Sequence, residues 1–362
     1  MATYLTAAAI CLFFSAGEPE RGPTAAELLQ RYTRALDVAQ SFISKAEIVT
    51  HQDYKFDAHF DPHWFGTDRA IEALGLISRM RVEFRTDGFR TRRIQYAWGD
   101  LGFYSGQRGI TETRPDYHFS NWDGSTFCVH SSTADNPAQR GVVQIGGIER
   151  DGAQGLFTRH SESYILGYHG DERVDEVLRR AEELSVSPRM EKVGRSTCYV
   201  LKGETDSDAI TLWIDPAHGY NAAKMETRRI TGDLKQAKTV CVTKLENVRF
   251  QDIDSVWVPM EADILRDRFF DIGGKKGHIR EKYHYKRTEF ALNPDHDRLG
   301  SFDKPLGTNP ELLGGTPVHK DGDPRTYVWR EGKVIPDAGG SRIRSQSPGR
   351  TRQSNRRPTR RR

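Results

Sequence analysis

Residue types that bind metals occur together in one short stretch. Asp57, His59, Asp61 and His63 alternate along the chain, which would place four potential metal ligands on one side of an extended segment. Pro62 interrupts that segment, and acidic residues and histidines are ordinary in solvated loops. We therefore predict no metal site here.

Two other stretches contain the residue types of a hydrolytic triad, namely His160-Ser161-Glu162 and Asp295-His296-Asp297. A triad is defined by geometry in space, which neighbouring positions in a sequence do not supply. The sequence also contains no phosphate-binding Walker spacing, no Gly-x-Ser-x-Gly elbow and no His-Glu-x-x-His pair. We predict no catalytic residue, no cofactor and no enzymatic activity, and a hydrolase is the weakest of the functions considered.

The positive charge of the chain is concentrated at its C-terminal end. Residues 339–362 contain nine arginines and no acidic residue, so the formal net charge of +4 leaves −5 on the other 338 residues. Such a stretch is typical of a disordered tail that binds anionic surfaces through charge alone. The arginines predicted to bind an anionic envelope surface are Arg350, Arg352, Arg356, Arg357, Arg360, Arg361 and Arg362.

The first 17 residues have the pattern of a secretory signal peptide. An uncharged apolar run from Leu5 to Phe14 is too short to span a bilayer and is followed by small residues. We predict export to the periplasm or cell envelope, which argues against a nucleic-acid partner. Cys198 and Cys241 lie in apolar strand patterns and are interpreted as buried thiols, although one disulfide bond remains an alternative.

The chain beyond the signal peptide reads mainly as strands. Thr24 and Glu27 form a capping box for an amphipathic helix over 25–39, and a first strand follows directly. In Ile210–Arg229, apolar residues alternate with polar ones up to a turn at Asp215-Pro216, and the chain then returns as a second strand. The polar residues of this turn, Asp215, His218 and Tyr220, are interpreted as turn chemistry on the rim of a sheet.

Similar alternation predicts hairpins around Asp87-Gly88, Asp123-Gly124 and Glu331-Gly332, and nearly continuous strands from 188 to 292. Helical periodicity predicts further helices over 156–168 and 172–184 and a short one near 69–76. This order of elements indicates an α+β fold, in which one large curved antiparallel sheet has its helices on one face.

The N-terminal unit ELLQRYTRALDVAQSFISKAEI and the later LWIDPAHGYNAAKMETRR resemble segments of the outer-membrane lipoprotein-sorting proteins, the periplasmic lipoprotein carriers similar to LolA and LolB, in an extended planctomycete-type form. The resemblance covers roughly 24–290. It implies an unclosed β-barrel, a strongly curved antiparallel sheet whose concave face is covered by helices that hold acyl chains. The predicted organisation is a signal peptide (1–17), a LolA-like half-barrel (24–292), a surface-wrapping extension with a small hairpin (293–338) and the disordered Arg-rich tail (339–362).

Two functions remain open. The first is an exported carrier that binds lipid or lipoprotein acyl chains between sheet and helices. The residues predicted to line its cavity are Met80, Val82, Phe84, Ile94, Tyr96, Trp98, Ile210, Leu212, Ile214, Val258 and Met260. The alternative is a non-enzymatic structural or sensor module of the cell envelope with a filled core, which binds anionic surfaces through its tail.

Overall fold

The computed structural model describes most of the region between the N-terminal segment and the C-terminal tail. The described residues are 22–56, 73–99, 115–122, 127–132, 143–145, 162–169, 172–234, 237–272, 275–299, 302, 316–320, 327–330 and 333–336. The predicted signal peptide, the Asp57–His63 stretch, the turn at Asp123-Gly124 and the Arg-rich tail lie outside these ranges.

The structure consists of three helices and nineteen strands within the described residues. The helices are α1 (Ala25–Val38), α2 (Glu162–Ile165) and α3 (Val174–Arg179). The first strands are β1 (Ser41–Phe56), β2 (Ala73–Asp87), β3 (Thr91–Gly99), β4 (Asp116–Trp122), β5 (Phe127–Ser132), β6 (Val143–Ile145), β7 (Tyr168–His169), β8 (Glu172–Arg173) and β9 (Glu183–Val186). The remaining strands are β10 (Glu191–Val193), β11 (Ser196–Glu204), β12 (Asp208–Asp215), β13 (Asn221–Leu234), β14 (Ala237–Ile253), β15 (Val256–Ile272), β16 (Lys275–Leu292), β17 (Thr316–Lys320), β18 (Tyr327–Arg330) and β19 (Lys333–Pro336).

One antiparallel sheet of thirteen strands dominates the fold. Its strand order is β10-β11-β12-β13-β14-β15-β16-β1-β2-β3-β4-β5, and β9 pairs with β11 beside β10. The two end strands, β10 and β5, do not pair with each other, so the sheet of the described residues is an open half-barrel. This confirms the predicted α+β class and the unclosed antiparallel sheet.

Strand β1 joins the two halves of the sheet, because it pairs with β16 on one side and with β2 on the other. The N-terminal helix–strand unit therefore sits in the middle of the sheet although it comes first in the chain. The helix before it is confirmed in detail: the Thr24 side chain accepts from the Glu27 backbone N–H, and the Glu27 carboxylate accepts from the Thr24 N–H at 2.8 Å. The apolar stripe of α1 buries Leu28, Leu29 and Tyr32.

The predicted helix over 172–184 is wrong in its second half. Only Val174–Arg179 is helical, and Glu183–Val186 is strand β9, whose Leu184 lies opposite Gly203 of β11. The predicted helix over 156–168 is reduced to the four residues of α2 in the described part, and 73–76 belongs to strand β2 instead of a helix. No helix in the described ranges is long and apolar enough to cross a membrane.

The predicted C-terminal hairpin is confirmed as β18 and β19, which pair through Tyr327–Arg330 and Lys333–Pro336. They belong to a second sheet in which β17 also pairs in parallel with β6, an arrangement that the sequence did not suggest. Before this sheet, the chain after β16 packs onto the main sheet, because Phe302 is only 1% exposed and lies under the guanidinium of Arg85.

Candidate functional site

Five of the predicted cavity residues meet in the main hydrophobic core. Val82, Ile210, Leu212 and Ile214 are buried in one cluster with residues of α1, α2 and α3, and Met80 packs against it. The sheet surface that carries these side chains is called the helix-bearing face below. Residues of the three helices therefore pack against this face.

Ile94, Tyr96 and Trp98 do not belong to that surface. In the pairing of β2 with β3, Val82 lies opposite Gln95 and Glu83 lies opposite Ile94. Because paired residues project to the same side of a sheet, the three apolar residues of β3 project to the side opposite Val82. On the helix-bearing face, β3 presents Arg93, Gln95 and Ala97, all of which are buried.

The last three predicted lining residues are also outside the main core. Phe84 is buried in a separate aromatic group, with its ring centroid 5.5 Å from that of Phe42. Val258 is fully buried but does not belong to the main cluster, and Met260 is half-buried at a bulge where Arg249 pairs with Glu261 and Phe250 with Pro259. The eleven predicted residues thus do not line one common space.

One small cavity lies between the described helices and the sheet. A cavity of about 20 Å³ lies there, bounded by Tyr32 and Leu36 of α1, Tyr164 and Ile165 of α2, and by Met225 and Leu245 of the sheet. This volume is about what a single water molecule requires. At this position the described helices and the sheet are in close apolar contact.

The helix-bearing face also contains a charged cluster that the sequence interpretation missed. The Glu281 carboxylate, 4% exposed, accepts from Arg266 Nε at 2.5 Å and lies 3.3 Å from the guanidinium of Arg268. Arg266 also donates to the Tyr283 hydroxyl at 2.9 Å. Burial alone would raise the pKa of Glu281, but the positive charge of Arg266 and its hydrogen bond outweigh burial and hold this pKa below its ordinary value.

A second buried cluster ties β7 to β12. His169 Nε2 lies 3.0 Å from Asp208 Oδ1, and the same carboxylate accepts from Arg229 Nε at 2.6 Å. Burial opposes ionisation of Asp208, yet the hydrogen bonds from His169 and Arg229 hold its pKa well below the usual range. The sequence signal for both clusters was a charged residue at an inward position of an alternating strand.

The rim turn at Asp215 has the local chemistry that the sequence predicted. The fully buried Asp215 carboxylate accepts from the Ala217 backbone N–H at 2.9 Å and lies 2.5 Å from His218 Nδ1. Burial opposes ionisation of Asp215, but hydrogen bonds from Ser196, His218 and Ala217 hold its pKa below the ordinary value. Tyr220, with a left-handed φ of 64°, accepts a hydrogen bond from Arg31 of α1 and so fixes the helix to the rim.

His218 lines an open groove at the surface. This groove has a volume of about 720 Å³, and its walls also include Phe250, Arg249, Asp263 and His284. A second open groove of about 400 Å³ is lined by Lys45, Glu47, Arg81, Glu83, Tyr96 and Trp98. Neither groove was anticipated from the sequence.

The described residues contain no group of three or more His, Cys, Asp or Glu side chains arranged to hold a metal ion. Cys198 and Cys241 are both free thiols, and burial raises the pKa of Cys198 to about 12. Of the triad-type stretches, the structure places Asp295-His296-Asp297 beside Arg85, where His296 Nδ1 accepts from Arg85 Nε at 3.0 Å. The other ring nitrogen, Nε2, lies 3.1 Å from Ser41 Oγ at the start of β1.

No protein-family model and no curated protein matches the chain. Among solved structures, MucB in complex with MucA(peri) is 8% identical and has a TM-score of 0.21, with 72% of this chain and 93% of that chain covered. A mutant Rh. blastica porin is 10% identical with a TM-score of 0.17, over 68% and 99% of the two chains. An acetoacetate decarboxylase-like enzyme from Sphingomonas wittichii RW1 is 6% identical with a TM-score of 0.13, over 70% and 94%. TM-scores this low support no argument about function.

Proposed function

We propose that the protein is a non-enzymatic binding module of the cell envelope, with a filled core and a tail that binds anionic surfaces. The observation that supports this function best is the packing between helices and sheet, where the cavity is only about 20 Å³. Pockets that enclose a small organic ligand usually have volumes of about 300–1,000 Å³. The helices therefore act as part of the core, and binding is assigned to the surface and the tail.

The buried charged groups support a module without catalysis. The carboxylates of Glu281, Asp208 and Asp215 are each neutralised by partners that hold their pKa below the ordinary value. A general acid or base near neutral pH needs a pKa shifted toward 7, which is the opposite direction for a carboxylate. These groups are better suited to fixing strands and turns than to transferring protons.

The tail supplies the binding charge in this proposal. Residues 339–362 contain nine arginines and no acidic residue, whereas the rest of the chain has a net charge of −5. Attraction of the tail to an anionic surface is electrostatic and is weakened by salt. We expect the full chain to sediment with phosphatidylglycerol vesicles at low salt and to be released as the salt concentration rises.

The test compares the full chain with a variant that ends at residue 338, using vesicles of phosphatidylglycerol or of phosphatidylcholine. We expect the truncated variant to lose sedimentation with the anionic vesicles, and neither chain to sediment with the zwitterionic ones. A full-length variant with the seven arginines at 350–362 changed to glutamine separates charge from length. Undiminished sedimentation of both variants would contradict the proposed role of the tail.

A lipid or lipoprotein carrier is the second candidate function. The observation that favours it is the continuity of the apolar cluster, which extends across the helix-bearing face from Leu201 of β11 to Val82 of β2. In this candidate the helix-bearing face is the concave face of the sheet, and the helices move aside to admit acyl chains. Burial of each methylene would then contribute about 0.8 kcal/mol.

Native mass spectrometry of the gently purified full chain distinguishes the two candidates. A carrier would retain a lipid or take up an added acyl ligand such as lysophosphatidylcholine, and its helices would lose hydrogen-exchange protection as the ligand enters. A filled module would remain lipid-free and keep the protection of α1. Retained lipid together with altered hydrogen exchange in the helices would favour the carrier over the filled module.

A further inference from the structure

The side of the sheet opposite the helix-bearing face is defined by residue parity. Ala262, Ile264, Tyr283 and Tyr285 lie in the main core. Their neighbours along β15 and β16, including Glu261, Asp263 and His284, therefore project from the other side. This side is called the outer face.

Strand pairing aligns two rows of side chains across six neighbouring strands of the outer face. One row, running from β14 to β3, consists of Arg249, Glu261, Lys286, Glu47, Arg81 and Tyr96. The row beside it consists of Glu246, Asp263, His284, Val49, Arg79 and Trp98. Together they form a strip, the outer track, that crosses five inter-strand gaps and is about 24 Å long at about 4.8 Å per gap.

The outer track connects the two open grooves described above. The groove of about 720 Å³ includes Arg249, Asp263 and His284 at one end of the track. The groove of about 400 Å³ includes Arg81 and Trp98 at the other end. Two separate cavities at the ends of one continuous strip suit an elongated ligand that lies across the strands.

Aromatic rings lie at both ends of the track, and at one end the Arg81 guanidinium lies 5.5 Å from the centroid of the Trp98 ring. At one end the rings of Tyr96 and Trp98 have centroids 6.5 Å apart and are half-buried. At the other end one face of the His218 ring is stacked on Phe250, with centroids 4.9 Å apart and an angle of 22° between the planes. Phe250 also borders the small cavity beneath the helices, so His218 is the ring assigned to a ligand in this groove. Such rings offer flat apolar surfaces to a ligand with a flat apolar side, while neighbouring polar groups stay hydrated.

His218 is held in one orientation at its end of the track. Its Nδ1 lies 2.5 Å from the buried carboxylate of Asp215, and the edge of Trp257 packs against its ring at a centroid distance of 4.7 Å. Because Nδ1 is engaged, the second ring nitrogen is the one that remains for a ligand in the groove. A histidine fixed in this manner is ready to form a directional hydrogen bond.

The charges of the track argue against a strongly charged ligand. Along the first row positive and negative side chains alternate, from Arg249 through Glu261, Lys286 and Glu47 to Arg81. Several are well exposed, including Arg81 at 68% and Arg249 at 75% of the side chain. Along this row a polyanion or polycation would meet a like charge at every second position, whereas a neutral chain with many hydroxyl groups can donate to the carboxylates and accept from the guanidinium groups.

We propose that the outer track binds a linear, uncharged polysaccharide, with sugar faces on the aromatic rings at the two ends and hydroxyl groups hydrogen-bonded to the charged side chains between them. This site is separate from the tail and goes beyond the proposed binding of anionic surfaces. It requires no movement of the helices.

The test is calorimetric titration of the full chain with two neutral glucan hexasaccharides, laminarihexaose and cellohexaose, and with the matching disaccharides. A ligand that spans the track should bind as a hexasaccharide at least about tenfold more tightly than as a disaccharide, because only the longer chain extends across all six strands from β14 to β3. Alginate oligosaccharides of the same length serve as the charged comparison and should bind more weakly than the neutral chains.

Exposed track residues provide variants that leave the core intact. We expect Arg81→Ala at one end and Arg249→Ala at the other each to weaken hexasaccharide binding several-fold, and the double variant to lose it. Lys282→Ala is the matched control, because Lys282 is also exposed on the outer face of β16 but lies in the next row, between Leu265 and His51, and should leave binding unchanged.

Three results would overturn the proposal. One is the absence of heat with both neutral hexasaccharides while the protein is folded by circular dichroism. Another is equal weakening by Lys282→Ala and by the track variants. The third is binding of alginate alone, abolished when residues 339–362 are removed, which would assign the polymer to the tail.

Discussion

Replacing His169 should change how the stability of the protein depends on pH. The His169 side chain is 3% exposed, and its Nε2 lies 3.0 Å from Asp208 Oδ1. The other ring nitrogen, Nδ1, is buried and has no hydrogen-bond partner among the residues that the structure describes. The neutral ring thus donates through Nε2 and leaves the bare lone pair of Nδ1 facing the interior.

Burial and hydrogen bonding to Asp208 oppose each other at His169. Burial disfavours the charged ring and lowers its pKa, while the hydrogen bond to Asp208 acts to raise it. Burial prevails because the Asp208 carboxylate is already neutralised by Arg229, whose Nε lies 2.6 Å away. Protonation would also place an N–H donor without a partner at Nδ1, which costs about 1–3 kcal/mol. The pKa of His169 is therefore below its ordinary value.

The sign of the pH effect follows from this shift. An unfolded histidine titrates near pH 6.5, and below that pH the unfolded chain binds a proton that the folded chain rejects. The stabilisation is fully present above about pH 6.5 and is lost as the pH falls toward the folded-state pKa. The loss from this one residue is at most about 1.4 kcal/mol per pH unit.

Urea unfolding of the natural chain and of His169→Gln at pH 7.5, 6.5 and 5.5 measures this effect. The glutamine amide can still donate to Asp208 but does not titrate. We expect the natural chain to lose up to about 1 kcal/mol relative to the variant between pH 6.5 and 5.5. His118 and His296, whose pKa values burial also lowers, are present in both chains and cancel. The reasoning would be refuted if the free energies of unfolding of the two chains changed in parallel with pH. It would also be refuted if the natural chain became more stable relative to the variant as the pH falls.

Four further substitutions, one of them a control, test the packing and capping by urea unfolding at pH 7.5. Glu281→Gln should cost about 3–5 kcal/mol because it leaves buried arginines without their carboxylate, whereas Glu289→Gln, in an exposed pair with 64% of its side chain accessible, should cost less than about 1 kcal/mol. Gly203→Ala should cost about 1–3 kcal/mol, since its Cβ would lie 2.7 Å from Leu178 Cδ2. Thr24→Ala should cost about 1 kcal/mol by removing the capping box of α1. A cost below about 0.5 kcal/mol for Glu281→Gln or Gly203→Ala would contradict the packing described here.

Local patterns predicted the elements whose determinants are themselves local. Thr24 and Glu27 define the start of α1 through hydrogen bonds between residues three apart, and the structure contains both bonds. Two-residue alternation located the long strands for the same reason, because each strand has one core side. The apolar residues of 174–184 were also recognised correctly, yet Leu184 reaches the core from strand β9 and not from a helix. Residues 183–186 are extended because β9 pairs with β11, and this is a contact between separate segments of the chain.

The grouping of cavity residues required information that alternation does not contain. Alternation shows that Ile94, Tyr96 and Trp98 share one side of β3. It does not show whether that side coincides with the side of β2 that carries Val82 or with the opposite side. The register supplies the answer: Val82 is opposite Gln95, so the aromatic residues of β3 lie on the outer face. A shift of one residue in pairing would reverse the assignment, which is why the sequence alone could not make it.

The same register explains where binding is to be sought on this molecule. If Ile94, Tyr96 and Trp98 had joined the helix-bearing face, that face would carry a larger apolar surface than the helices fill. Instead, β3 contributes Arg93 and Gln95 to that side, and Arg93 donates to the Gln95 side chain within the buried layer at 2.5 Å. The aromatic side chains of β3 therefore project from the outer face, beside Arg81 and the groove of about 400 Å³. The filled core and the outer track are thus two consequences of one pairing register, and hexasaccharide titration of the Arg81 variant tests the second independently of lipid.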